Sequence, residues 1–467
     1  METFTLFTKQ RAILPLLVIF LLISFSSGFS QSAFQKEKVL KETNTTKLKS
    51  ISRELKEQAE QRKNQALKLA KQKGWTVRKE FEGGQIIELM GVTKNGLPLY
   101  YITHNKDAAA TISTDNLHPG GSSGLNLDGT GMIVGEWDGG AVLTNHQEFN
   151  NTGTPRVVQK DGATATSDHA THVAGTMIAA GVDPDAKGMA INAQLNAYDW
   201  SNDMSEMASE AGNGLLLSNH SYGFSAGWTW DGEYVWVGDE NISSQEDFRF
   251  GFYGEYSADY DQIAYNAPYY LIVKSAGNDR GEGPAGDENH PQDGGSDGYD
   301  CIGYWGNAKN VLTVGATGDL IDGYTGNPED VQMTSFSSWG PSDDGRIKPD
   351  ICGNGYNLYS SSHTGETGYA IKQGTSMSAP SVTGSMALLQ EHASETMDSV
   401  LKAATLKALV IHTADEAGPD EGPDYMFGWG LMNTKKAADV ITKNNLSALI
   451  LEEKLTDGNT WSYEVDA

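Results

Sequence analysis

Four polar side chains in this sequence have the types and settings that acyl transfer requires. Ser376 stands in Gly374-Thr375-Ser376-Met377-Ser378-Ala379-Pro380, ahead of the apolar run Val382-Thr383-Gly384-Ser385-Met386-Ala387-Leu388-Leu389. A hydroxyl is a weak nucleophile until a base takes its proton, and a helix start adds a favourable field and free N–H groups. The same stretch also suits an ordinary N-capped helix, so the other parts of a site decide the reading. His169 opens His169-Ala170-Thr171-His172-Val173-Ala174-Gly175-Thr176-Met177, and an imidazole titrates near neutrality, where a serine proton must be shuttled. Asp138 ends the apolar run Met132-Ile133-Val134-Gly135-Glu136-Trp137 and precedes Gly139-Gly140. A carboxylate there can fix the imidazole's tautomer and stabilise its cation. Asn278 ends Leu271-Ile272-Val273-Lys274-Ser275-Ala276-Gly277, where an amide can donate to a developing oxyanion.

These residues need elements that bring them together. Asp138 and Asn278 each follow a short apolar strand pattern, while His169 and Ser376 each open a helix of small residues. Apolar strands alternating with Ala- and Gly-rich helices predict an α/β fold: a parallel sheet flanked by helices on both faces. Residues at strand C-terminal ends are where such sheets hold their sites.

The order Asp138, His169, Asn278, Ser376, with these flanks, resembles the subtilisin-type (subtilase) serine endopeptidases. Further stretches carry the likeness. Ser335-Phe336-Ser337-Ser338-Trp339-Gly340-Pro341 with Lys348-Pro349-Asp350 is similar to the family's segment before the nucleophile. Leu406 to Ala414 and Gly428-Trp429-Gly430-Leu431-Met432-Asn433 resemble its closing helix and following turn. The resemblance covers roughly residues 120–445. It implies Ser376 as nucleophile, His169 as general base and then acid, Asp138 as the orienting carboxylate, and Asn278 with the Ser376 N–H as oxyanion donors. His172 matches the second histidine of the motif, which packs beside the site. Leu217 to Gly223 is similar to the edge strand that pairs with an extended substrate. Ser221, Tyr222 and Gly223, with Ser275, Ala276 and Gly277, are thus expected to wall the pocket for the residue before the scissile bond. Main-chain pairing then supplies affinity and the pocket selectivity. By analogy that residue is large and apolar, the partners are protein or peptide substrates, and the chemistry requires no cofactor.

Two positions depart from the family pattern: Gly139 follows the aspartate where Ser or Thr is usual, and Ala170 stands where Gly is usual. Neither removes a reacting group. A lipase or esterase would use the same chemistry, but its Gly-x-Ser-x-Gly elbow fails at Ser378 and its order is Ser, Asp, His. A secreted adhesin would suit the tryptophans and acidic loops but has no need of the four residues in order.

The rest of the chain suggests domain organisation. Residues 1–30 read as a signal peptide: Lys9 and Arg11, an apolar stretch from Ile13 to Phe25, then small residues to Ser30. Its apolar stretch is short for a membrane span, and no later segment is apolar enough, so no span is expected after signal removal. The expected localisation is secreted, extracellular or cell-surface. Residues 31–118, helical over 35–73 and strand-like at 76–81, 86–89 and 97–102, stand in position and polarity where the resemblance implies a prosegment; a solvated helical linker is the alternative. Residues 1–106 hold 18 Lys and Arg against 9 Asp and Glu, net +9; the remaining 361 hold 16 against 52, net −36. Opposite charge suggests mutual attraction, and the resemblance implies that the prosegment is the chain's own intramolecular inhibitor. Its release is expected in the loop Asp115 to Ser123. The acidic body excludes nucleic acid as a partner, because phosphate contacts need clustered Lys and Arg.

Residues 119–445 form the expected catalytic domain. Within it, Phe224 to Phe250 is rich in Trp and acid, and Asp279 to Trp305 holds Glu282, Asp287, Glu288, Asp293, Asp297 and Asp300. These carboxylates could hold a structural calcium, although no full ligand spacing is present, and a solvated acidic loop is the alternative. Cys301 and Cys352 could pair or remain free. Residues 446–467 read as the start of a C-terminal β domain, with strands at Ala448 to Leu455 and Trp461 to Ala467 around the turn Asp457-Gly458-Asn459.

Overall fold

The structure, a computed structural model, describes residues 33–80, 86–93, 96–103, 109–151, 153–320 and 323–464. The expected signal peptide lies outside the described residues. The charged run that follows folds as α1 (Ala33–Glu42) and α2 (Thr45–Lys73). Asn44 caps α2 by accepting the Lys47 N–H at 3.1 Å, and Gly74 ends it at φ +74°, a conformation open to glycine without a Cβ penalty. Leu48, Ile51 and Leu55, three and four residues apart, give α2 one buried stripe. Strands β1 (Arg78–Glu80), β2 (Ile86–Val92) and β3 (Pro98–Thr103) form an antiparallel sheet beside it.

The larger region is built on β4 (Ile133–Asp138), β5 (Val157–Gln159), α3 (Asp168–Ile178), β6 (Gln194–Asp199), α4 (Asp203–Gly212) and β7 (Leu217–His220). It continues through β8 (Tyr222–Phe224), the hairpin β9 (Trp228–Trp230) and β10 (Tyr234–Trp236), α5 (Glu255–Asn266), β11 (Leu271–Ser275), β12 (Leu312–Thr317) and β13 (Ile351–Asn354). Strands β14 (Leu358–Ser361) and β15 (Tyr369–Lys372), then α6 (Thr375–Met397), α7 (Ala403–His412) and α8 (Thr434–Thr442), complete it. Seven strands pair in parallel in the order β13-β12-β11-β7-β4-β6-β5. Both faces are covered, as expected. Val134, Leu195, Leu217 and Val273 pack with α3 and α6, whereas Trp137 and Ile272 pack with α4 and α5 on the other side. From β4 the chain builds outward to both sides, which opens a crevice at the C-terminal ends of β4 and β7.

Three expectations are corrected or resolved. Residues 449–464 form no strand, and the anticipated pair around Asp457 and Gly458 leaves only the turn. A two-stranded hairpin buries too little surface to hold itself together, and Trp461 and Tyr463 remain exposed. Cys301 and Cys352 are both buried and unpaired. The loop at Asp115 to Ser123 begins inside the main core: Leu117 is buried there, and the His118 Nε2 bonds to the Met189 carbonyl at 2.7 Å. No helix among the described residues is long and apolar enough to cross a membrane.

Candidate active site

Asp138 ends β4 with no solvent exposure. Its Oδ1 and Oδ2 lie 2.6 and 2.8 Å from Nδ1 of His169. Oδ1 also accepts the Gly139 N–H at 2.6 Å, so the main chain holds the carboxylate where the family pattern has a hydroxyl. His169 is the second residue of α3, whose start is fixed by Ser167 accepting the Ala170 N–H at 3.2 Å. With Nδ1–H given to the carboxylate, Nε2 is the basic nitrogen. His172, one turn along, is different. Burial first, and the charge of Lys372 second, pull it down to about 3, and its Nε2 bonds the Leu358 carbonyl at 3.0 Å. It is a packed, neutral histidine.

Ser376 lies in the first turn of α6, after Gly374 at φ +145°, ψ 164°. Pro380, four residues on, has no N–H to give the Ser376 carbonyl. The Ser221 hydroxyl donates to that carbonyl instead, at 2.7 Å. In return the Ser376 hydroxyl donates to the Ser221 carbonyl, also at 2.7 Å. The nucleophile candidate is therefore stitched to the chain between β7 and β8. Asn278 follows β11, and its Oδ1 accepts from the Thr375 N–H at 2.9 Å and hydroxyl at 2.8 Å. Those two bonds orient the amide and leave Nδ2 to donate. Thr375 also accepts the Gly277 N–H at 3.2 Å. Sequence reasoning missed Thr375; its place beside Ser376 was the available signal.

Tyr222, Gly223, Ser275, Ala276 and Gly277 line one cavity of about 30 Å³. Ser221 is bound to Ser376 rather than set in that lining. Phe224 and Trp305, stacked at 4.0 Å, narrow the cavity. Beneath it Lys274 is fully buried, its Nζ donating to the His220 carbonyl at 3.1 Å and lying 4.4 Å from the Tyr222 ring centre. Burial pulls this lysine down to about 7. The Tyr222 hydroxyl donates to Asp203 at 2.8 Å, and burial pushes Asp203 up to about 6.

Strand β3 lies antiparallel on β8, with Tyr101 opposite Phe224, Ile102 opposite Gly223 and Thr103 opposite Tyr222. The Ser225 N–H extends the pairing to the Tyr100 carbonyl at 2.8 Å. Arg78 of β1 reaches past this sheet and donates to the Gly139 carbonyl at 2.7 Å.

The two insertions pack on each other, the Trp228 N–H donating to Asp293 at 2.9 Å and its indole to the Pro291 carbonyl at 2.9 Å. Burial pushes Asp279 up to about 7, and burial with the charge of Asp279 pushes Glu282 up to about 8. Among the described residues no three His, Cys, Asp or Glu are arranged to hold a metal ion.

The model of the subtilase family matches residues 101–430. The C5a peptidase of Streptococcus pyogenes is 32% identical over 164 residues, which are 32% of this chain and 13% of that protein. A subtilisin-like protease of Arabidopsis thaliana is 30% identical over 132 residues, covering 24% of this chain and 17% of that one. The chain thus spans only a small part of the curated relatives it matches. Among solved structures, the CspB protease of Clostridium perfringens shares the fold with a TM-score of 0.51 at 16% identity, over 68% of this chain and 96% of that one.

Proposed function

This chain belongs to the subtilase family of serine peptidases, and we propose that it is an exported endopeptidase that cleaves peptide bonds through an acyl-enzyme formed on Ser376. The observation that carries the reading is the buried contact of Asp138 with His169 at 2.6 Å, made where Asn278 and Thr375 fix the start of α6. In the reaction, Ser376 Oγ turns from the Ser221 carbonyl, loses its proton to His169 Nε2 and bonds to the scissile carbonyl carbon. The oxyanion takes hydrogen bonds from Asn278 Nδ2 and the Ser376 N–H. Collapse breaks the C–N bond, and His169 returns the proton to the departing amine. Water repeats the sequence and frees the acid. Asp138 remains ionised throughout and stabilises the imidazolium.

The residues N-terminal to the catalytic region act in this proposal as its inhibitor. Strand β3 occupies the edge of β8 that an extended substrate would use, and Arg78 holds the loop after Asp138. The boundary falls between Thr103, the last residue paired to β8, and Ile112, which is buried in the main core. The cavity lined by Tyr222, Gly223 and Ser275 to Gly277 is the pocket that takes the residue before the cut in this proposal. Export rests on the signal-like residues 1–30.

Digestion of a protein mixture with the secreted enzyme, read by mass spectrometry, tests the reading. Cleavage blocked by a serine-directed inhibitor is the expected outcome. Cleavage of short-chain esters without cleavage of protein would contradict it.

A further inference from the structure

Glu136 lies inside β4, two residues before Asp138, so the pleat sets both carboxyls on the same face of the sheet. It is fully buried, and neither carboxyl oxygen has a hydrogen-bond partner among the described residues. Across the sheet its neighbours are Ala197 of β6 and Asn219 of β7. Asn219 is engaged elsewhere, donating to Ser221 Oγ at 2.8 Å and accepting from Thr383 Oγ1 at 3.1 Å. The helices packed on this face bring His169 from α3 and Thr383 from α6. Asp138 is the charged group acting on Glu136, and Lys274, on the opposite face, acts on Asp138. An unpartnered carboxylate in so dry a place is heavily penalised, and the group escapes the penalty by keeping its proton. Burial first, then the Asp138 charge, hold it well above the usual carboxylate range.

A valine or leucine would fill a central strand position without that cost, so a retained orphan carboxyl calls for a reason. Resting on the peptidase reading above, we propose that Glu136 is a positioning residue of the catalytic pair: a neutral carboxyl stationed beside Asp138 that acts on His169 through it. A second charge there would overstabilise the imidazolium and slow the return of its proton to the leaving amine. An apolar side chain would remove the polar group stationed beside Asp138, which then keeps the Gly139 N–H and His169 as partners.

Two variants and two readouts test this. Glu136→Gln keeps a neutral polar group of the same shape, and kcat at pH 7 should remain within about threefold of the parent. Glu136→Leu should lower kcat about tenfold or more with KM unchanged. For stability, a folded-state value above the unfolded one means that the cost of Glu136 is absent below about pH 4.5 and grows as pH rises. The unfolding constant of the parent relative to Glu136→Gln should therefore grow as pH rises above about 4.5, for as long as the folded state keeps the Glu136 proton. Parallel stability profiles for parent and Glu136→Gln would show an ionised or solvated Glu136 and overturn the proposal. Unchanged kcat in a folded Glu136→Leu would overturn it equally, leaving a packing role. If the parent shows no inhibitor-sensitive peptide cleavage while the stability profiles diverge as expected, the peptidase reading is what fails, and the positioning role falls with it.

Discussion

Two regions meet at β8, and they are held to their tasks by different means. In the catalytic region nearly every contact at the site depends on one functional group: a carboxylate on an imidazole, an amide oriented by Thr375, a Ser221 hydroxyl covering the carbonyl that Pro380 leaves free. In the N-terminal region, α2 lays Leu48, Ile51 and Leu55 against Met204, Met207 and Ala211, and β3 holds β8 by its main chain. Any apolar residue of similar volume would serve such a stripe, and a strand edge reads no side chain. Changes in the first region should therefore alter rate with little effect on association. Changes in the second should alter association and leave the chemistry alone.

The sharpest break of this contrast is Ser376→Ala. Removing the nucleophile of subtilisin itself costs about 2 × 10⁶ in kcat, and a loss of that order is expected here. Binding of the separately produced N-terminal segment should stay near the parent value, as read by peptide turnover and calorimetry. Asn278→Ala should cost about 10² to 10³ in kcat with little change in KM, the size of loss measured for the oxyanion donor of subtilisin. On the other side, Leu55→Ala should weaken inhibition by the segment about 30- to 900-fold, from about 2–4 kcal/mol of lost burial. Inhibition of a pre-processed enzyme at fixed substrate reports it, and kcat should not move.

Salt separates packing from charge in the same assay. The net +9 of residues 1–106 and net −36 of the remainder suggest attraction. Yet the ion pairs between the regions run both ways, Lys79 with Asp231 and Lys402 with Glu42 at 3.1 Å, and all four partners are partly exposed. Such pairs contribute about 1 kcal/mol or less each. Raising salt to about 1 M should then weaken inhibition less than Leu55→Ala does; a larger effect would make charge the principal clamp.

The smallest expected effect concerns Asp168, beside His169 in the chain. Its partners Lys372, at 2.5 Å, and the Ser362 hydroxyl, at 2.5 Å, outweigh burial and hold it down to about 2. A lowered value stabilises the fold above the unfolded value near 3.8, and that stability is lost as pH falls through about 2. Asp168→Asn should cost about 1–2 kcal/mol at pH 6 and almost nothing at pH 2. Thermal unfolding at the two pH values measures it.

The same contrast explains what could be read before the structure. Asp138, His169, Asn278 and Ser376 were legible because the chemistry admits few residue types, and the small residues around them mark close approaches. The helix at 45–73 and the strands after it were legible from periodicity. Their partners were not, since an apolar stripe at α2 does not say which helix it will meet. Ser221 was expected in the pocket wall, and its tie to Ser376 depends on a proline four residues beyond that serine. Glu136 looked like part of a strand, and only the fold shows that no group answers it. Residues 449–464 alternate as strands do, but among the described residues they pair with no strand.

Labelling of the active enzyme with a fluorophosphonate, followed by peptide mapping, tests the central assignment most directly. The reagent bonds only to a serine whose proton a neighbouring base removes. One adduct on Ser376, formed at the parent rate in Glu136→Gln and slowed by about 10³-fold or more in Asp138→Asn, is the predicted result. An adduct on another serine, or on Ser376 at a rate indifferent to Asp138, would contradict the account.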